Sequence, residues 1–562
     1  YKIDDINERL DAVEELTKTG FETVKQTLNG LPDLERGICR LFYHKCEPIE
    51  YIAIMRSFMS IFKHLKNLKE EKFSSALLNK TIQSIPDISS DVSSWLSCLS
   101  IEAARIGKKE NLFQVEHLSI DPYPEVTKQK IEISKAEEKL NDILAQIRRD
   151  TGFPRLKYIN VAADEYLIEL TIKQSQTVPP DWLFINKTKS ARRYHTPAIK
   201  QQYSILCQHR ELLEIALNNA WKEFVEKSKE KYYELRSVVV NLAILDCILA
   251  LAIKGRESNY TRPLIKENDD DDNMNDENSI KPPEIIIEQG RHPIVEAICP
   301  NNEFVPNDTN LKDDLKCIML TGPNMGGKSC YIKQVALIVL LSQIGSFVPA
   351  SFAKIDPVDR IMVRMGAHDS MEQGKSTFFI EMQETSEILH RATNRSLVIL
   401  DELGRGTSTH DGVAIADATL RYLLTHTNCF LLFVTHYHLL CQTASQFPTK
   451  ASSFHMGFHH DDEEESEYSI TFLYQLINGM ASKSYGLNVA QLAGIPGCII
   501  KRAKEKSENL ADSMQLIDSS GSKATKDAIL QIMEEYRENK RSKQETQLLL
   551  LKIWDVLKNS VQ

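Results

Sequence analysis

The chain has 562 residues, long for one domain, and its length predicts roughly three or four. Hydrophobic residues make up 42% of it and charged residues 26%, ordinary proportions for a soluble globular protein, so buriable core is not limiting. The net charge of −10 argues at first against a nucleic-acid partner, but its distribution lifts that exclusion. Residues 267–279 (ENDDDDNMNDENS) carry seven acids and no base, and residues 461–467 (DDEEESE) carry six acids. Without those thirteen charges the balance is about +3, so the acidity sits mostly in two expected surface loops. The eleven cysteines are scattered with no CxxC spacing, which reads as reduced, intracellular thiols. The chain opens on Tyr1, already inside a helix-like pattern; a fragment is expected, with N-terminal targeting out of view.

Residues 1–150 read as mostly helical, because apolar residues recur every three or four positions in INERLDAVEEL and VTKQKIEISKAEEKLNDILAQI. Pro32, in GLPDLERG, is expected in a first helical turn, where proline is tolerated. TGFP at 151–154 breaks the helix; LKYINV and EYLIELTI then read as strands and VPPD at 178–181 as a turn. Helical periodicity returns at about 197 and continues to about 254. Within it, VVVNLAILDCILALAI (238–253) is interrupted by Asn241 and Asp246 and is 16 residues long. Spanning a bilayer needs roughly 18–20, so a buried helix is expected, and no membrane partner. The stretch 267–279 reads as a linker, and an α/β pattern follows from IIIEQG to about 500. A Ser/Gly/Lys segment near 518–526 precedes a final charged helix at about 527–558. No repeat of fixed period is found.

A long helical region interrupted by a small strand-rich insert predicts two helical legs running out and back, with the insert at their tip. The insert, 151–200, has eight basic residues (Arg155, Lys157, Lys173, Lys187, Lys189, Arg192, Arg193, Lys200) against four acids, with Trp182 and Tyr194 among them. Such a patch suits a phosphate backbone without reading bases. From composition alone, a solvated loop with ordinary lysines is the favoured reading.

The densest signal is TGPNMGGKSC, 321–330. Gly322, Gly327, Lys328 and Ser329 satisfy GxxxxGK[ST], the phosphate-binding loop. CIML supplies a strand before it and SCYIKQVALIVLL a helix after it. Glycines let successive N–H groups face phosphate oxygens, and the helix N-terminus adds favourable partial charge. Lys328 is expected on the β- and γ-phosphates and Ser329 on magnesium. A chance glycine turn is disfavoured by the flanking strand and helix.

LVILDE, 397–402, reads as an apolar strand ending in two carboxylates. Asp401 is expected to hold magnesium, and Glu402 to take a proton from attacking water, a contribution of order 10²–10⁴ in rate. Two acids at a strand end are common in isolation; beside a phosphate loop they support each other. FLLFVTHYH, 430–438, reads as a strand ending at His436; a histidine at such an edge can sense the γ-phosphate, although taken alone it is more often structural. A metal site of His436, His438 and Cys441 is disfavoured, since no fourth ligand has recognisable spacing.

TGPNMGGKS, GKSTFFIEMQET (374–385), LVILDELGRGTSTHDG (397–412) and FVTHYH together resemble the ATPase domain of the MutS mismatch-repair family. The resemblance covers nearly the whole chain. INERLDAVEEL and LPDLERG resemble the family's helical core, EYLIEL with RRYHTP its DNA clamp insert, and SYGLNVAQLAGIP (484–496) its dimerisation segment; GRHPIVE (290–296) precedes the phosphate loop as it does in the family. The resemblance implies a multidomain α and α/β fold. A long helical core and lever (1–150, returning over 201–266) would carry a small β-rich clamp insert (151–200). An acidic linker (267–279), an ABC-type P-loop ATPase domain with the dimerisation segment (280–510) and a C-terminal helical tail (511–562) would follow.

It also implies roles, residue by residue. Gly322, Pro323, Asn324, Met325, Gly326, Gly327, Lys328 and Ser329 match the phosphate loop for ATP, and Phe304, in FVPND, matches the aromatic that stacks on adenine. Ser329 and Asp401 match the Mg2+ site, Glu402 the catalytic base and His436 the histidine near the γ-phosphate. Ser376 matches the signature serine that completes the partner subunit's site, and Arg405 to Asp411 lie at that interface. In the clamp, Lys187, Lys189, Arg192 and Arg193 are the expected DNA contacts. Cys330 departs from the family, which more often has a hydroxyl residue there; no loss of nucleotide binding is expected.

EYLIEL, Asp181-Trp182, TKSARRYHTP and HMGF (455–458) favour the eukaryotic branch that handles insertion–deletion loops over the base-mismatch branch. That resemblance implies a nuclear heterodimer with MutS homologue 2, the MutS beta complex, acting on double-stranded DNA with MutL-type proteins downstream. The family's mismatch-binding and connector domains precede the core, so the loop-reading element is expected upstream of Tyr1. Two other readings stand beside this DNA-repair ATPase. A transporter-type ATPase is disfavoured by the lack of an LSGGQ-like signature. A meiotic crossover-type clamp scaffold is the alternative: the intact Lys328, Asp401 and Glu402 count against an inactive protein but do not separate repair from meiosis.

Overall fold

The computed structural model describes residues 2–113, 121–161, 164–257, 259–266, 282–299, 304–366, 377–460, 470–480 and 486–507. The acidic stretches 267–279 and 461–467, Ser376 and the expected final helix lie outside them. The chain divides into two compact units, Asp11–Ile253 and Tyr1–Leu10 with Lys254–Gln562.

In the first unit the helix Pro48–Glu70 is the hub against which Phe21–Leu28, Leu34–Phe42, Ala76–Gln83, Ser89–Ser97 and Ile101–Ile106 pack. Its Tyr51, Met55, Phe58, Phe62 and Leu65 recur at helical spacing and are buried. The helix after Pro32 begins only at Leu34, capped by the Asp33 side chain, which accepts from the Arg36 N–H at 2.9 Å. Pro32 therefore precedes the cap rather than sitting in the first turn, since Asp33 is the better capping group.

Two long helices, Pro124–Thr151 and Pro197–Lys229, pack along each other. Each starts on a proline, which gives up no helical hydrogen bond there, and Gly152 ends the first at φ 72°. Between them lies an antiparallel sheet of β1 (Tyr158–Val161), β2 (Asp164–Thr171), β3 (Leu183–Lys187) and β4 (Ala191–His195), in the order β1-β2-β4-β3. Leu140, Leu144 and Ile147 of the outgoing leg share one core with Ile168 and Leu170 of β2, Tyr194 of β4 and Leu206 of the returning leg. The legs-and-insert arrangement is thus a single packed body.

The expected buried helix runs Tyr232–Glu257, longer than its apolar core sequence. Leu235, Val238, Leu242, Leu245, Leu249 and Ala252 form one buried stripe. On the other face Val240 is 49% exposed and Ile244 37%, so burial is one-sided. Among the described helices this one is long and apolar enough to cross a membrane by length and composition.

The second unit is built on β5 (Ile285–Gly290), β6 (Asn307–Leu311), β7 (Cys317–Thr321), β8 (Phe352–Ile355), β9 (Ile361–Arg364), β10 (Leu397–Asp401), β11 (Phe430–Val434), β12 (Ala451–His460) and β13 (Ile470–Asn478). Six strands form one sheet in the order β13-β12-β7-β11-β10-β9, parallel except for β13; β6-β5-β8 form a small antiparallel sheet. β7, β10 and β11 are nearly continuous apolar runs because both faces are covered. Alternation assigns the sides. Ile318, Leu320, Ile399 and Leu432 pack with Ile332, Val335 and Val339 of the helix Lys328–Gln343. Met319, Val398, Leu400 and Phe433 pack on the other side with Ile388, Ala416 and Leu440. All eleven cysteines are free thiols.

Candidate nucleotide site

Strand order makes the site. β11 lies between β7 and β10, with Leu320 opposite Val434 and Val434 opposite Asp401. The loop after β7, the turn after β11 and the carboxylates after β10 therefore emerge at the same edge, the crevice where open α/β sheets bind ligands. β11 ends at Val434, two residues short of His436, which belongs to the turn and not to the strand.

The loop 322–327 turns through Gly322 (φ 126°) and Gly327 (φ 96°), conformations that a side chain would strain. Pro323, Asn324, Met325 and Gly326 complete it, and Met325 is 71% exposed. Lys328 opens the following helix and is buried. Its Nζ donates to the carbonyls of Gly322 at 2.8 Å and Pro323 at 2.9 Å, and to Asn324 Oδ1 at 3.4 Å. Burial pulls its pKa below the usual lysine range, opposed by the charges of Glu402 and Asp401.

Ser329 Oγ donates to Asp401 Oδ2 at 2.9 Å, across 72 residues of sequence. Burial pushes the Asp401 carboxyl up, the Ser329 bond pulls it down, and neighbouring Glu402 pushes it up again. A hydroxyl and a carboxylate are the hard oxygen donors that magnesium takes, so this pair fits that ion.

Glu402 has φ 55°, uncommon for a residue with a side chain, and its N–H donates to Val434 O at 3.0 Å, tying it to β11. Its Oε1 accepts from His436 Nε2 at 3.0 Å and its Oε2 from Arg405 Nη1 at 2.7 Å. The His436 bond, with Arg405 contributing, holds this carboxyl down at about 2, so it is anionic at neutral pH. The site thus presents a cation, an oxygen pair for a metal and a fixed anion.

Phe304 lines a cavity of about 410 Å³ beside the loop, together with Val295, Met456 and Tyr474. Tyr474 comes from β13 and has φ 54°. Asn307 braces it: Asn307 Nδ2 donates to Tyr474 O at 2.8 Å, and Asn307 Oδ1 accepts from Leu476 N–H at 2.6 Å. Cys330 and Cys299 also line this cavity. The size and mostly apolar walls fit a planar base. A second cavity, about 390 Å³, opens on Ser329, Asp401 and Glu402 and is also lined by Arg364 and Glu381. Tyr474 and Arg364 carry no motif of their own; Asn307 and Glu381 lie within FVPND and GKSTFFIEMQET, where sequence reading gives a role to Phe304 and Ser376 and none to them.

Of the expected clamp contacts, Lys187, Lys189 and Arg192 are exposed. Arg193 is set apart: its Nε donates to Glu169 Oε2 at 2.8 Å and its Nη1 to Asn186 Oδ1 at 3.2 Å. Successive strand residues face opposite sides, so Arg192 and Arg193 point apart. Lys187 stands directly opposite Arg192 across the β3–β4 pair.

These features define a P-loop-type α/β unit in a chain that also carries a long helical unit, and the chain belongs to the MutS family. The family's domain III matches residues 1–252 and its domain V residues 318–511. Within the family it is similar to the proteins called Msh3, the MutS homologue 3 branch to which the clamp and β12 stretches pointed. The DNA mismatch repair protein Msh3 of Homo sapiens is 39% identical over 527 residues, 91% of this chain and 45% of that protein. That of Arabidopsis thaliana is 40% identical over 500 residues, 86% of this chain and 45% of the relative. That of Dictyostelium discoideum is 36% identical over 593 residues, 97% of this chain and 40% of the relative. The chain spans less than half the length of these curated relatives.

Proposed function

We propose that the chain is an ATP-driven clamp subunit of DNA mismatch repair. It works in the nucleus with MutS homologue 2, acts on double-stranded DNA with insertion–deletion loops, and hands over to MutL-type proteins. In this reading 280–510 is an ABC-type ATPase domain, 151–200 the DNA clamp, 1–150 and 201–266 the core and lever, and 511–562 a helical tail. The observation that carries it is the contact between Ser329 and Asp401, which ties the phosphate loop to the carboxylate strand at 2.9 Å.

Lys328 and the N–H groups of 322–327 bind the phosphates of ATP, while Phe304 and Tyr474 hold the base. Ser329 and Asp401 hold Mg2+, which when bound neutralises phosphate charge. Glu402 accepts the proton of the attacking water, and His436 and Arg405 fix its carboxylate. Ser376 completes the partner subunit's site, and Arg405 to Asp411 lie at the same interface. The clamp binds phosphates through Lys187, Lys189 and Arg192. Like charges directly opposite destabilise a strand pair, so the pairing of Lys187 with Arg192 supports a polyanion lying across them. The bound Glu402 supports turnover over a passive meiotic scaffold.

The test is co-purification with MutS homologue 2, followed by ATP hydrolysis measured on looped and matched duplexes. A stable complex whose hydrolysis responds to looped DNA and is lost in Asp401→Asn is expected. No complex, or hydrolysis indifferent to Asp401→Asn, rejects the proposal.

A further inference from the structure

Glu381 lies on the helix Thr377–Arg391 and is 3% exposed. A buried carboxylate is costly unless it is paired and hydrogen-bonded, and this one is both. Its Oε1 accepts the Gly404 N–H at 2.6 Å, and its Oε2 pairs with Arg364 Nη2 at 3.3 Å. Arg364, at the end of β9, is buried too; its Nη1 donates to Gly366 O and its Nε pairs with Glu384 Oε2 at 3.2 Å. Gly404 is two residues beyond Glu402. It is held from the other side by Tyr437, whose hydroxyl donates to Gly404 O at 3.2 Å. Gly404 has φ 90°, so its own backbone preference does not fix it.

We infer that Glu381, backed by Arg364, is a positioning residue for Glu402: it pins the Gly404 N–H and so fixes the turn that presents the catalytic carboxylate. This rests on the proposed ATPase reading. Glu381 links three segments: its own helix Thr377–Arg391, the turn after β10 through the Gly404 N–H, and β9 through Arg364. Glu402 already holds an uncommon backbone conformation, with φ 55°. Its hydrogen bond to Val434 fixes the N-terminal side of the turn and Glu381 the C-terminal side. A charged acceptor on a backbone N–H is roughly twice as strong as a neutral one. Releasing it frees the turn without touching the phosphate loop. Glu381 therefore governs the rate of hydrolysis and leaves nucleotide affinity alone.

The test compares wild type, Glu381→Ala, Glu381→Gln and Glu402→Gln in the full chain with its MutS homologue 2 partner. The readouts are single-turnover ATP hydrolysis, the Kd of a fluorescent ATP analogue, and amide hydrogen exchange over 402–408. A misplacement of about 1 Å at a reacting group costs about 10²-fold. Glu381→Ala should lower the single-turnover rate by about 10- to 100-fold with Kd within about twofold, and exchange over 402–408 should rise. Glu381→Gln should recover part of the rate, because its amide oxygen still accepts from Gly404 N–H; this variant also carries the test if alanine fails to fold. An unchanged rate in both Glu381 variants while Glu402→Gln is slow overturns the inference and leaves the ATPase reading standing. Kd rising in step with the loss of rate, or unchanged exchange over 402–408, overturns it as well. Hydrolysis unaffected by Glu402→Gln overturns the ATPase reading and the inference together.

Discussion

Gly404 and Gly412 lie back to back, each facing the other's backbone. A Cβ on Gly412 would fall against the Gly404 carbonyl oxygen, and one on Gly404 against that of Gly412. Only glycine at both positions lets the turn after β10 approach the helix Thr409–Tyr422 this closely. Gly412→Ala must push the two segments apart. Overpacking of this kind costs about 1–3 kcal/mol, so the thermal midpoint should fall by several degrees, measured by circular dichroism. An unchanged midpoint would mean the turn yields freely.

Lys328 is the cation of the phosphate loop. Lys328→Ala removes charge-assisted hydrogen bonds worth about 1.5–3 kcal/mol, or roughly 10- to 150-fold in affinity. A fluorescent ATP analogue titrated against both proteins measures it. Equal Kd values would remove Lys328 from the phosphates.

Glu402 makes stability pH-dependent. Its carboxyl sits at about 2 in the fold against 4.5 for an ordinary glutamate. A depressed carboxyl stabilises the fold above the unfolded value and loses that contribution as pH falls through the folded one. The stability difference between wild type and Glu402→Gln should therefore be constant near neutrality and shrink as pH falls from about 4.5 towards 2. Urea midpoints for both proteins across that range provide the check. A difference that grows on acidification contradicts the pairing with His436 and Arg405. In the same variant ATP should stay bound while hydrolysis slows by about 10²–10⁴.

How far the site can be read without coordinates depends on which residues adjoin in sequence. Gly322 to Ser329 are contiguous, as are Asp401 and Glu402, and each follows an apolar strand, so local pattern suffices. Strand order is not local. Nothing in FLLFV says that β11 slots between β7 and β10, yet that is what brings His436 to Glu402. Tyr474 is harder still. It stands 167 residues beyond Asn307 in an edge strand, where alternation gives no hint of a cavity, and its place depends on one side-chain amide. The two helical legs are legible because TGFP interrupts the helical periodicity at 151–154 and the periodicity resumes at about 197. The one-sided burial of Tyr232–Glu257 is harder to read, since the exposed face carries Val240 and Ile244 beside Asp246.

Arg192 and Arg193 are adjacent but unequal. In a salt titration of DNA binding, Arg192→Ala should reduce the slope by about 1, since one phosphate contact is lost. Arg193→Ala should leave the slope near wild type and instead loosen the sheet, because Arg193 is joined to Glu169 and Asn186. Matched and looped duplexes should respond alike, as phosphate contacts carry no sequence information. Equal slopes for the two variants would reject the division.

Tyr474 should matter for the base and not for the phosphates. Stacking of a base on an aromatic ring is worth about 1–3 kcal/mol, so Tyr474→Ala should weaken ATP by roughly 5- to 150-fold. Inorganic triphosphate, which has no base, should bind both proteins equally in a competition assay. Parallel losses for both ligands would place Tyr474 outside the base pocket.

Lys328 Nζ already donates to the carbonyls of Gly322 and Pro323. The third proton of the ammonium goes to Asn324 Oδ1 at 3.4 Å, the longest of the three contacts, so an incoming phosphate takes the place of an acceptor rather than adding a bond. The net gain from the charge is correspondingly smaller, and the loop keeps its curl whichever acceptor is engaged. A receptor organised in this way lets go readily, which suits a cycle that has to discharge its product and start again.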